Sequence, residues 1–138
     1  MYTLKIEYDG SQHATALNEP HHNTLAIDCP FTGKGVEFSP ASLFGISLAS
    51  CMLLSMGAIA QRDGIDLKGT TVDIRFSGLD KTFPHVDTIT LAFHVPQTLP
   101  RTEQLKLERA AALCPIRQSI DADTLVSTAF HYGAAQAA

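Results

Sequence analysis

From Pro40 to Gln61 the chain carries no charged side chain. This stretch, inside SPASLFGISLASCMLLSMGAIAQR (Ser39 to Arg62), constrains the fold more than any other. Ser39 suits an N-cap, where its hydroxyl accepts a backbone N–H, and Pro40 suits the first helical position, where no N–H is missed. Gly64, just beyond Arg62, is placed to end the helix. The pattern predicts one long helix, apolar nearly all round and therefore buried on most sides. Ser47, Cys51 and Ser55 share one face at its middle. The stretch is long enough to cross a bilayer. Its serines and glycines, the lack of flanking Trp or Tyr anchors and the strand-like segments on both sides favour burial in protein over a membrane.

At 138 residues the chain predicts a single domain spanning 1–138. With 45% hydrophobic residues it builds a core, but a helix this apolar leaves surface for an oligomer to cover. A net charge of −4 without a basic stripe argues against nucleic acid. The start MYTLKIEYDG lacks the pattern of an export signal. Three cysteines (Cys29, Cys51 and Cys114) form neither a disulfide framework nor a zinc spacing. The expected setting is a reducing cytoplasm, with no metal and no cofactor.

Alternation predicts a half-buried strand at Tyr2–Tyr8, with Leu4, Ile6 and Tyr8 inward. An Asp9-Gly10 turn leads to a short strand at His13–Leu17, and another follows at Thr24–Asp28. Phe31 to Phe38 reads as a loop. Beyond the long helix, strands are expected at Thr71–Phe76 and Val86–Val95, with Ser77–His85 as a connection. A second helix, roughly Glu103 to Leu113, would be capped by Thr102 with Leu105, Ala112 and also Leu113 inward. Cys114 would cap a short turn from Pro115 to Ile120, Leu125–Tyr132 is the last strand, and GAAQAA a loose tail. The order predicts an α+β fold, with a largely antiparallel sheet and helices on one face.

A cysteine inside an apolar helix is most simply a small hydrophobe, and burial raises its pKa. Cys114 has the stronger local case for a thiolate: an N-cap position with Arg117 in the first turn. Two thiols also work as a pair, one oxidised to a sulfenic acid and the other closing a disulfide, provided that the fold brings their Cα atoms within about 7 Å.

SPASLFGISLASC, followed far downstream by CPI, resembles the OsmC/Ohr family, the osmotically inducible protein C and organic hydroperoxide resistance proteins. The resemblance covers nearly the whole chain. It implies an OsmC-like fold around a long buried central helix, an intertwined homodimer and active sites at the subunit interface. It also implies thiol peroxidase chemistry on organic hydroperoxides, with Cys51 peroxidatic and Cys114 resolving, and an external dithiol as reductant. Family peroxidases use an N-terminal arginine and a glutamate after the helix-opening proline. This chain has no arginine before Arg62, and Ala41 and Ser42 occupy the glutamate region. His13, or Glu37 with Lys34, is the candidate replacement, and the alternative for His13 is an ordinary hairpin histidine. Phe44, Ser47 and Leu48 are candidates to line a peroxide pocket, against core packing. His21 and His22 near Cys29 lack a fourth metal ligand. The competing readings are a non-catalytic module binding a small apolar or thiol-reactive ligand at the dimer interface, and a redox sensor that needs a partner protein.

Overall fold

The computed structural model describes residues 3–79 and 84–133. Two compact units divide the chain, Met1–Phe44 and Gly45–Ala138.

The first unit is an antiparallel meander of β1 (Leu4–Gly10), β2 (His13–Asn18) and β3 (Asn23–Asp28). Gly10, Ser11 and Gln12 all have positive φ, which lets the chain reverse in so short a link. Leu4, Ile6 and Tyr8 are 64–67% exposed, so the expected inward face of β1 has no cover from its own unit. Asp28, at the end of β3, is buried. Its carboxylate accepts the backbone N–H groups of Val36 (3.1 Å) and Glu37 (3.3 Å), which anchors the loop before the long helix. The Ser39 hydroxyl then accepts the N–H of Ser42 at 3.0 Å, the expected cap.

The long helix is α1 (Pro40–Asp63). Gly64 ends it with φ +69°, and the Ile65 N–H reaches back to the Ala60 carbonyl at 2.8 Å. In the second unit α1 packs over the mixed sheet of β4 (Thr71–Leu79), β5 (Pro84–Val95) and β6 (Leu125–Tyr132), in the order β4-β5-β6. Two features of the sheet go beyond the expectation. Strand pairing extends into the expected Ser77–His85 connection from both ends, with a bulge at Gly78 (φ +90°). The second is a detail on which the expected, largely antiparallel pairing is silent: β6 runs parallel to β5, because the crossover between them carries α2 (Arg101–Ala112) and α3 (Pro115–Gln118).

The core follows the alternation of β5: Ile89, Leu91, Phe93 and Val95 are buried together with Leu48, Met52 and Met56 of α1. Each such side chain is worth about 1.5–3 kcal/mol of burial. Phe93 stacks on Phe130 of the neighbouring strand, with centroids 4.7 Å apart. Gly45 sets how closely α1 meets β4: a Cβ there would lie 2.4 Å from Phe76 Cζ and 2.8 Å from Ile74 Cγ2.

Burial on most sides of α1 does not hold within the chain. Gly45, Leu48, Ala49, Met52, Met56 and Ala60 are buried on one side, while Ser47, Ser50 and Leu54 on the other are exposed. By length and composition alone α1 could cross a membrane; its buried side is nevertheless the centre of this unit's core. The start and face of α2 also differ. Its N-cap is Pro100 and not Thr102, because the Pro100 carbonyl accepts the N–H groups of Glu103 and Gln104 at 3.0 and 3.1 Å. Leu107 and Ala111 face the core, leaving Leu105, Ala112 and Leu113, the residues expected inward, exposed. Tyr2 and the tail beyond Gly133 lie outside the described residues.

Candidate functional site

Leu107, Ala111 and Cys114 recur at helical spacing, which carries the buried face of α2 directly into Cys114. Leu113 ends α2, and Pro115 fixes an extended backbone at Cys114 (φ −62°, ψ 145°). The chain restarts there as α3, and Cys114 is its N-cap: the Arg117 backbone N–H donates to Cys114 Sγ at 3.3 Å. The sulfur therefore points inward, and Cys114 is 1% exposed.

There it meets α1. The Cys51 side chain lies against the Cys114 thiol, close enough to act on it by hydrogen bonding and by charge. Both cysteines are free thiols. Residues far apart in sequence thus form one dithiol site, Cys51 half-buried and Cys114 buried.

The electrostatics of the pair correct the local reading of Cys114 as the readier thiolate. Burial, first, and then its interaction with Cys51 push the Cys114 pKa above 9.0, against the opposing N–H of Arg117. A helix of four residues has little dipole to offer a buried anion, and desolvation wins. Cys114 stays protonated at neutral pH, and Cys51 is the more accessible of the two residues.

The other expected residues fall as follows. Leu48 has no exposed surface and is a core residue; Phe44 and Ser47 are exposed. Arg117 contributes its backbone N–H. His13 and Glu37 belong to the first unit. His13 Nδ1 and the Thr15 hydroxyl each lie 2.7 Å from Asp9 Oδ2, so His13 is held by a carboxylate on its own hairpin. Thr15, first, and His13 keep the Asp9 carboxyl below its ordinary range.

Cys29 has a character that its sequence neighbours did not reveal. The hydroxyl of Thr32, first, and the backbone N–H groups of Phe31, Thr32 and Gly33 hold its pKa below 9.0. A tight turn after Cys29-Pro30, closed by the Gly33 N–H on the Cys29 carbonyl at 2.8 Å, aims these donors at the sulfur. Pro30 and Gly33 were the only signal for that turn. Among the described residues no three His, Cys, Asp or Glu side chains converge as a metal site.

A long core helix on a mixed sheet, with one cysteine at its middle and another capping a short helix against it, defines an OsmC-like dithiol fold. The family model for OsmC-like proteins matches residues 32–129. An osmotic stress induced and detoxification response protein from Psychrobacter arcticus is 32% identical, with TM-score 0.88 over 95% of this chain and 96% of that one. An OsmC-like protein from Mycoplasma pneumoniae (16% identity, TM-score 0.79, 97% and 98% covered) shares the fold. So does the organic hydroperoxide resistance protein OhrB of Bacillus subtilis (18%, 0.67, 94% and 98%). No curated protein matches the sequence. The chain belongs to the OsmC/Ohr family.

Proposed function

We propose that this chain is a thiol peroxidase that reduces organic hydroperoxides. The observation carrying the proposal is the contact between the Cys51 and Cys114 side chains. Cys51 thiolate attacks the outer oxygen of the hydroperoxide. The O–O bond breaks, an alcohol leaves after taking up a proton, and Cys51 becomes a sulfenic acid. Cys114 attacks that sulfur, expelling water and closing a disulfide, which an external dithiol reduces. A buried, protonated Cys114 suits the resolving role, because it waits as a thiol until Cys51 has been oxidised. Exposed Phe44 and Ser47 are proposed to receive the organic group, with Leu48 packed behind them. His13, Glu37 and Arg117 are proposed to support the Cys51 thiolate in place of the missing arginine–glutamate pair.

The protein acts as a cytoplasmic homodimer in this reading. The open stripe of α1 at Ser47, Ser50 and Leu54 and the exposed face of β1 support an oligomer, because each is an apolar or weakly polar surface without cover from its own unit. Incubation with cumene hydroperoxide and dithiothreitol tests the activity. Rapid peroxide loss that vanishes in Cys51→Ser is expected; equal rates in the two proteins would remove the reading.

The absent arginine–glutamate pair favours a second reading, a binding module for a small apolar or thiol-reactive ligand without turnover. Native mass spectrometry separates the two. A retained adduct on Cys51 and no peroxide turnover would favour the module.

A further inference from the structure

Between the C-terminal half of α1 and α2 lies a groove of about 330 Å³, walled by Ile59, Leu105, Ala110 and Leu113 and edged by Arg62, Lys106 and Arg109. Its floor is apolar and its edge cationic. Arg62 and Lys106 share one carboxylate: Arg62 Nε is 2.8 Å from Asp63 Oδ1, and Lys106 Nζ is 3.3 Å from Asp63 Oδ2. Among the described residues the Arg109 guanidinium has no hydrogen-bond or ion-pair partner. Three cations against one acid leave the edge positive, in a chain whose net charge is −4.

We propose that this groove binds an aliphatic carboxylate, with the anion on Arg109 beside Lys106 and Arg62 and the chain along Ile59, Ala110 and Leu113. Charge complementarity selects the occupant. An apolar partner would leave the Arg109 fork unused, and a small inorganic anion would leave the hydrocarbon walls unused. Lys106 meets Asp63 at one end and Cys114 lies against Cys51 at the other, so α1 and α2 run antiparallel, with Arg62 and Lys106 at the end away from the thiols. At the other end Leu113 precedes Cys114, and the α1 stripe Arg62, Ile59, Ser55 leads back to Cys51. Arg62 lies about 16 Å from Cys51 along the helix at the usual rise per residue. A chain of medium length anchored at the cations therefore extends towards the thiols. Neither sulfur is needed for this binding.

Dodecanoate titrated into the reduced full-length protein tests the proposal, followed by calorimetry. Saturable binding is expected, weakened at least tenfold in Arg109→Gln and unchanged in Cys51→Ser, with dodecanol and dodecyltrimethylammonium binding at least tenfold more weakly than dodecanoate. Arg109 is exposed, so the variant should fold, and its melting curve checks this. Equal binding of dodecanoate and dodecanol would overturn the carboxylate assignment, and no binding would overturn the site. Dissociation of an oligomer by Leu105→Glu, with no dodecanoate bound by the wild type, would assign the groove to a second copy of the chain and overturn the proposal. Because binding is read without peroxide, its failure is separable from failure of the peroxidase reading.

Discussion

Gly45→Ala probes the closest approach between α1 and the sheet. The new methyl would sit 2.4 Å from Phe76 Cζ, 3.0 Å from Phe76 Cε1 and 2.8 Å from Ile74 Cγ2. Carbon atoms pack at about 3.5–4.0 Å, so Phe76 would have to give way by about 1 Å in a partly buried layer. Overpacking of this kind costs about 1–3 kcal/mol. Replacing a mid-helix glycine by alanine returns about 1 kcal/mol. The net expectation is a loss of about 1 kcal/mol, or ~4 °C in Tm for a chain of this size. A double-mutant cycle with Phe76→Leu isolates the cause, because leucine removes the outer ring atoms that the methyl meets. Urea unfolding of the four proteins should give a coupling of about 1 kcal/mol between the two sites, Gly45→Ala being better tolerated beside Leu at 76. An equal cost in both backgrounds would refute the packing argument.

Three further outcomes are expected. Alkylation at pH 7.5 followed by peptide mapping should modify Cys29 first and Cys114 last, because hydrogen-bond donors lower the first pKa while burial raises the second. The Cys114 thiol ionises more readily in the unfolded chain, so stability should decline as pH rises above 9.0, and Cys114→Ala should flatten that decline. Arg62, first, and Lys106 hold the Asp63 carboxyl at about 2 against an ordinary 3.8. The stability it contributes is present above 3.8 and lost as pH falls towards 2; Asp63→Asn should remove that component from an acid-unfolding series.

The helix and the strands were legible because their signals are local. Ser39, Pro40 and Gly64 bracket α1, and the alternation of Ile89, Leu91, Phe93 and Val95 marks β5. What failed depended on contacts that no local pattern carries. Leu105 and Leu107 offer alternative faces for α2, and only packing into the buried core chooses Leu107. The direction of β6 was left open by the sequence, because it follows from a crossover whose path is not written in Leu125–Tyr132. The charge state of Cys114 turned on burial beside Cys51, which outweighed an N-cap position correctly read from Cys114-Pro115. The family motif pointed to the two cysteines together, and the fold shows why: the buried face of α2 ends in one sulfur and leads it to the other. The donors around Cys29 come from a turn whose geometry Pro30 and Gly33 only suggest.

The most direct measurement is the mass and disulfide map of the reduced protein after one equivalent of cumene hydroperoxide. The account predicts loss of two hydrogens, an intramolecular Cys51–Cys114 disulfide, and a trapped sulfenic acid at Cys51 in Cys114→Ser. A protein that keeps both thiols, or oxidises Cys29 while Cys51 stays reduced, would contradict it.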